Sequence, residues 1–491
     1  MYFPNKKEFI KKAKTANLIP VYKEIFADFL TPLLAYKKIN SKNSFLLESV
    51  EGEERIARYS FLGSNPSTVI YIKGRQIIVR QKSKKDTCYM DEPFAYLKKF
   101  MRKFKTSPVK GLPRFYGGLV GYIGYDCIRF FEDIPDTCKD DLKLDDAVLM
   151  LTDTILIFDH VTHKIKVVSN AYLQSRSKRY LLKQYDKAIK NIEEIITKLS
   201  SPTKEVIGQL EYNPEPLKIK SNFRKASFLK AVRKAKDYIK KGDIIQVVIS
   251  QRFKTHFTKN PLDVYRALRS INPSPYMFYL SFDKLKLVGS SPEVMVRSED
   301  GIVRLRPIAG TRKRGKDSKQ DAMLIKDLLS DKKECAEHLM LVDLARNDLG
   351  RVCKSGSVKV DEFMVIEKYS HVMHIVSDCT GILKKDKDAF DVLRAAFPAG
   401  TVAGAPKIRA MQIIDELENT KRGVYAGCVG YFSFSGNLDT GIAIRTILIK
   451  DNTAYVQAGA GIVADSVPGR EYKETQNKAQ ALLNAIAAAK V

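Results

Sequence analysis

Apolar residues recur with two different periods along this chain of 491 residues. Runs that are apolar at every second position, or unbroken, predict strands at 44–50, 58–63, 69–79, 146–158, 164–169 and 242–252. Within 69–79 the alternation turns at Gly74, a hairpin signal, and an acidic turn, Glu51-Gly-Glu-Glu54, separates the first two runs. Stripes spaced three and four apart predict helices at 93–104, 172–199 and 225–241, and the residues up to about 20 predict a short amphipathic helix and a connector. One further stripe, Ala336, Leu339, Met340, Leu344 and Ala345, predicts a helix within 331–348. At 115–125 four glycines interleave with aromatic and aliphatic residues, a pattern that predicts close sheet packing. Near the C-terminus, Gln457-Ala-Gly-Ala-Gly-Ile-Val463 predicts a strand ending in a glycine loop, and Pro468-Gly469 opens an Ala-rich helix.

Length and composition add boundaries to this pattern. A chain of this size requires two domains or one large composite core. The stretch from Ser200 to Pro216, rich in Pro, Ser and charge, reads as a linker. The expected division is an N-terminal part at 1–200, a linker at 201–221 and a second part at 222–491. A hydrophobic content of 44% and a charged content of 29% are those of a soluble globular protein. No apolar run reaches the length of a membrane span, and residues 1–7 lack the apolar core of a signal peptide, so a cytoplasmic location without a membrane partner is expected. Seven scattered cysteines without a C-x-x-C pair read as free thiols. The 84 Lys and Arg residues against 56 Asp and Glu give a net charge of +28. That excess is mostly lysine spread along the chain, without an aromatic-basic motif or zinc-finger spacing to focus it. Steering of a small dianion is therefore expected, and nucleic-acid binding is not.

Charge spacing then suggests chemistry. Glu471 and Glu474 share one face of the first turns of the last helix, with Lys478 four residues further along. Acidic residues there also complement the helix dipole, but the 331–348 helix repeats the spacing at Glu334 and Glu337. Four carboxylates brought face to face need a cation, and oxygen ligands without a Cys or His cluster point to Mg²⁺ held partly through water. The expected arrangement has Glu337 and Glu474 as direct ligands and Glu334 and Glu471 around the water shell. Such a metal accepts an anionic substrate, and Gly459 and Gly461 would let a ligand approach backbone N–H groups. Gly400 to Gly404 is expected to cap a helix running through 411–417, its N–H groups open to an anion. His371 and His374 would point to opposite faces of an alternating strand, so at most one lines a site. The basic stretch 311–319 reads as a solvated loop. Tyr425 and Arg445 are expected on the last strands, Arg445 as a bidentate partner for a carboxylate.

Five motifs sharpen this: Pro307-Ile-Ala-Gly-Thr-Arg312, Asp343-Leu-Ala-Arg-Asn-Asp-Leu-Gly-Arg351, Gly400-Thr-Val-Ala-Gly-Ala-Pro-Lys407, Gly459-Ala-Gly461 and Glu471-Tyr-Lys-Glu-Thr475. Together they resemble the signature set of the chorismate-utilising enzymes, in particular the anthranilate synthase component I family, strongly from Asn222 onward and more weakly before it. The resemblance implies an α/β fold of the α+β type: two interlocked parts whose largely antiparallel sheets form a sandwich flanked by helices. It implies amination of chorismate with loss of its ring hydroxyl, then elimination of pyruvate to give anthranilate, the first committed step of tryptophan biosynthesis.

Carried over residue by residue, the resemblance makes Glu293 the acid for the departing hydroxyl and His374 the group for the proton transfers of elimination, with Thr401 beside them. Gly310, Thr311, Tyr425, Arg445, Gly459, Ala460, Gly461 and Lys478 become substrate contacts, and Mg²⁺ holds the ring carboxylate. Glu48 and Ser49 supply half of a tryptophan feedback site that Pro275, Tyr276 and Met277 complete. The chain carries no amidotransferase domain with a cysteine nucleophile, which implies a glutamine amidotransferase small subunit as ammonia source and a hetero-oligomer. Relatives that make aminodeoxychorismate typically have a lysine where Ala309 stands, and water-adding relatives have one near Gln246. With neither lysine present, the resemblance implies that ammonia is the nucleophile. Aminodeoxychorismate synthase component I is the nearest alternative. A basic or tryptophan-sensing binding protein without catalysis is the alternative from another class. The absence of tryptophan from the whole chain suits an enzyme needed when that amino acid is scarce.

Overall fold

The unbroken apolar runs become strands buried on both faces, which is why they lack clean alternation. In Thr154–Asp159, for example, Ile155 and Ile157 enter the core between two sheets, whereas Leu156 and Phe158 enter a second core on the outer side. The computed structural model describes residues 1–49, 58–81, 84–202, 216–369 and 372–489. The expected acidic turn at 51–54, His371 and the 203–215 portion of the expected linker lie outside the described residues.

Among the described residues two large sheets dominate, one of 13 strands and one of 12, with largely antiparallel ladders. Both cross the expected boundary between the two parts. In the first sheet Asn43–Glu48 pairs with Tyr276–Phe282, placing Glu48 opposite Met277. In the second, Gly118–Ile123 pairs with Cys428–Ser433. The two halves of the chain are thus interlocked through backbone hydrogen bonds. The core between the sheets includes Phe115 stacked on Tyr431 at 4.0 Å between ring centroids. The outer core lies under the helices Lys178–Ser200, Pro261–Ile271 and Pro468–Ala488. Gly121 sits where a Cβ would lie 1.9 Å from the Val148 carbonyl oxygen, so the glycines of 115–125 do serve close sheet packing.

Several elements differ from the sequence reading. The run 146–158 is two strands, Ala147–Thr152 and Thr154–Asp159, and the chain passes from one sheet to the other at Asp153. Periodicity sees one apolar run because both strands are buried. Near the N-terminus, the helix Lys6–Lys12 is followed by the edge-side strand Leu18–Phe26 in place of a connector. The basic stretch 311–319 is largely ordered: Ile308–Lys313 is a strand, and Arg312 and Arg314 are neutralised by Asp327, Asp331 and Asp321. No helix among the described residues is long and apolar enough to cross a membrane.

Candidate active site

The floor of the site is a pair of antiparallel strands, Gln246–His256 and Thr453–Ile462, in which Val248 opposes Gly461 and Ile249 opposes Ala460. Period-2 alternation puts Gln246, Val248, Gly459 and Gly461 along one cavity of about 470 Å³. Ala460 points its methyl into the core on the other face and is fully buried. A Cβ at Gly459 would lie 2.7 Å from the Tyr425 hydroxyl, and one at Gly461 would lie 2.6 Å from Gln246 Nε2. Both glycines therefore make room for groups that line the cavity.

Two helices bring the carboxylates. Lys332–Val352 begins at an Asp331 cap and contributes Lys333, Glu334, Glu337 and Leu341. Pro468–Ala488 starts with proline at its first turn, as its sequence predicts, and contributes Glu471, Glu474 and Lys478. The buried face of the first helix is rotated from the expected stripe: His338, Leu341, Val342, Ala345 and Leu349 are inside, while Ala336 and Leu339 are exposed. The apolar count missed this because His338 and Asp348 are buried with partners, Ser377 at 2.7 Å and Lys407 at 2.8 Å. Burial, then the neighbouring Glu337 charge, raises the pKa of Glu334. Burial also raises that of Glu471, against a hydrogen bond from Ser466. Gly310, at φ +65°, would place a Cβ 3.3 Å from Glu334 Oε2, so this acid lies against the Gly310 turn.

Lys478 Nζ bridges the site, 2.6 Å from Glu474 Oε1 and 3.1 Å from the Gly459 carbonyl oxygen to which it donates. Arg445 donates to the Lys478 carbonyl. It lies in the turn between Leu438–Ile442 and Thr446–Lys450 at φ +48°, and Tyr425 lies in the turn before Cys428–Ser433, so both sit at strand ends and not on strands. Strand ends free a side chain to reach across a cavity mouth.

Glu293 follows the strand Leu285–Ser291 and is buried against Thr401, whose hydroxyl donates to Glu293 Oε1 at 2.9 Å. Burial, opposed more weakly by the Thr401 hydrogen bond and the charge of Lys478, pushes its carboxyl up to about 8, so it is protonated at neutral pH. Thr401 belongs to a one-turn helix, Gly400–Ala403, that is separate from the helix Lys407–Leu417. Gly404 and Ala405 pair with the floor strand between them, so the 400–404 segment caps no later helix. His374 opposes Thr311 across a ladder, and its Nδ1 donates to the Gly310 carbonyl at 2.9 Å. That donation keeps the proton on Nδ1 and leaves Nε2 as the lone-pair nitrogen. The ring stands behind the Gly310–Thr311 wall, and burial lowers its pKa.

Sequence reasoning passed over two supports. Arg422, fully buried, binds Glu418 and donates to the carbonyls of Val402 and Val248, two cavity residues, while lying over the Tyr425 ring. The i,i+4 spacing of Glu418 and Arg422 was its only signal. Lys407 closes the turn at Pro398 and pairs with Asp348.

Among the described residues no three acidic, His or Cys side chains form a ready-made cation cage. The cavity instead offers two carboxylate pairs and no sulfur or imidazole donor. Magnesium binds through one or two carboxylates and keeps several waters, so an oxygen-only set of this kind fits it.

A second, smaller cavity of about 60 Å³ is lined by Glu48, Ser49, Pro275, Tyr276 and Met277, which sequence separates by more than 200 positions. Among the described residues the Ser49 hydroxyl is buried there without a partner. Glu48 accepts from Tyr265 and lies 3.4 Å from Arg269, and burial raises its pKa. Tyr276 donates to Asp439 at 2.8 Å.

Interlocked antiparallel sheets holding such a polar, carboxylate-rimmed cavity define a class: the family described as chorismate binding enzyme matches residues 42–484, and the chain belongs to it. Within that class, 483 residues are 50% identical to anthranilate synthase component 1 of Aquifex aeolicus (strain VF5), covering 98% of this chain and 97% of that one. The crystal structure of anthranilate synthase component I from Streptococcus pneumoniae TIGR4 superposes with a TM-score of 0.78 at 38% identity, over 94% of this chain and 99% of that one. The menaquinone-specific isochorismate synthase of Escherichia coli shares the fold at 19% identity, with a TM-score of 0.71 and 98% of each chain covered.

Proposed function

We propose that the chain is an anthranilate synthase large subunit, converting chorismate and ammonia to anthranilate, pyruvate and water. The observation that carries this reading is the 470 Å³ cavity, which gathers Glu293, Thr401, Arg445, Lys478 and the four paired glutamates around positions where Ala309 and Gln246 stand. Neither Ala309 nor Gln246 can attack the ring or take a proton from water, so a nucleophile that needs no such group, ammonia, suits the site.

Arg445 and Lys478 supply the positive charge that holds the substrate's carboxylates. Glu293, protonated at neutral pH, gives its proton to the departing hydroxyl, and Thr401 fixes the orientation of the carboxyl. His374, with its lone pair on Nε2, serves the proton transfers as pyruvate leaves. Bound through Glu337 and Glu474, with Glu334 and Glu471 on its water shell, Mg²⁺ would neutralise and orient the ring carboxylate. Ammonia is delivered by a glutamine amidotransferase subunit. The 60 Å³ cavity is the place for tryptophan, whose binding lowers chorismate affinity and, by linkage, is weakened by chorismate to the same degree.

The test is purified protein with chorismate and Mg²⁺, first in ammonium-free buffer and then with ammonium. Anthranilate fluorescence only in the second case supports the reading. Isochorismate or salicylate in the first, or aminodeoxychorismate in the second, overturns it.

A further inference from the structure

Glu293 stands in the wall between two cavities. On one side is the large cavity already described. On the other is a chamber of about 40 Å³ that shares Glu293, Leu341 and Thr401 with it. This is enough room for at least one water molecule. The rest of its lining is mostly apolar, and its only other ionisable side chains are Arg306 and Asp348. Arg306 is held by Glu367 and cannot give up a proton at any ordinary pH.

The two acids are anchored alike. Glu293 Oε1 accepts from Thr401, and Oε2 has no hydrogen-bond partner among the described residues. Asp348 Oδ2 accepts from Lys407 at 2.8 Å, and Oδ1 likewise has no partner among the described residues. Each carboxyl thus keeps one oxygen fixed and one available.

We propose that the small chamber is a water relay through which Asp348 returns a proton to Glu293 after each turnover. The inference rests on the synthase reading given above. When the C–O bond of the substrate breaks, its electron pair stays on oxygen, which takes the Glu293 proton and leaves as water. The new C–N bond forms from ammonia, and the resulting cationic nitrogen loses a proton to the solvent of the large cavity. Glu293 is left as a carboxylate while the aminated ring still covers that side. Its proton then comes from a chamber water, which is resupplied by Asp348, and Asp348 by solvent. The charges facing this path are Lys478 toward Glu293, and Lys407 and Arg351 toward Asp348. Each of them favours the ionised form of the carboxyl it faces and so speeds release of its proton to water. Burial raises the pKa of Asp348 against the charges of Lys407 and Arg351.

The relay separates the first turnover from the later ones, because resting Glu293 already carries its proton. Rapid-quench measurements on full-length Asp348→Asn, with saturating chorismate, Mg²⁺ and ammonium, should show a first turnover at the wild-type rate. A steady state about tenfold or more slower should follow, within the range of general acid catalysis. A solvent deuterium isotope effect should appear on the slow phase alone. Ala345→Val, which fills the chamber and removes no charge, should give the same two phases, and it carries the test if Asp348→Asn fails to fold. A first turnover slowed as much as the steady state, or an unchanged steady state, overturns the relay while an active wild type keeps the synthase reading. A wild type that makes no anthranilate overturns both.

Discussion

Replacing Glu293 by Gln removes a transferable proton but keeps an oxygen to accept from Thr401, so geometry survives and proton chemistry does not. With the wild-type carboxyl held at about 8 against an ordinary 4.5, the folded chain keeps a proton that the unfolded chain has lost across that window. Unfolding therefore releases a proton there, and stability falls as pH rises through it. Between about pH 6 and pH 9 the loss is roughly 3 kcal/mol, at about 1.4 kcal/mol per pH unit until the slope fades near pH 8. The glutamine variant lacks this titration. Urea denaturation of both proteins at pH 6 and pH 9 should show wild type losing about that much relative to Glu293→Gln, other groups cancelling in the comparison. The same variant should lose roughly 10²- to 10⁴-fold in kcat with ammonium, and wild-type kcat should decline above pH 8 as the acid ionises. If the two proteins lose stability in parallel from pH 6 to 9, Glu293 titrates normally and its role as a neutral acid is wrong.

Glu474→Gln should abolish Mg²⁺-dependent turnover while the thermal unfolding midpoint stays near wild type; normal turnover at ordinary Mg²⁺ would remove Glu474 as a ligand. Isothermal calorimetry should detect tryptophan binding that Ser49→Ala weakens by roughly 1 kcal/mol, the scale of one hydrogen bond; no heat with wild type would end the feedback assignment. The isolated chain should make anthranilate from ammonium but not from glutamine, and product from glutamine alone would show that no second subunit is required. Arg422→Met should unfold at a temperature several degrees lower, because it leaves Glu418 buried without its counter-charge, a loss of about 3 kcal/mol or more; an unchanged midpoint in a thermal scan would refute the support role given to this pair.

Local physics made much of the site legible in advance. The Glu-x-x-Glu spacing on two helices needs only the 3.6-residue turn to place each pair on one face, and Pro468 and Asp331 mark the helix starts through ordinary end chemistry. Alternation likewise foretold the Gly74 hairpin, whereas Ala460, expected as a substrate contact beside Gly459 and Gly461, turns its methyl to the opposite face of the strand. The motifs added the family and the residues to watch. Local pattern did not show that 146–158 is two strands in two sheets, because a strand buried on both faces has lost the polar alternation that marks its ends. Nor did it show which face of the helix Lys332–Val352 is buried, since His338 and Asp348 are buried only where Ser377 and Lys407, distant in sequence, supply partners.

Sequence by itself determined the types and spacings of the acids, the glycine loop and the helix starts, because each depends on neighbours within a few residues. The tertiary structure alone decided what those acids are. Glu293 is an unremarkable glutamate after a turn until burial between two cavities outweighs Thr401 and Lys478 and holds its proton at neutral pH. Glu48 and Met277 become neighbours only because antiparallel strands from the first and second halves of the chain exchange backbone hydrogen bonds. Desolvation and long-range pairing are properties of enclosed space, and a linear pattern of side chains does not contain that space.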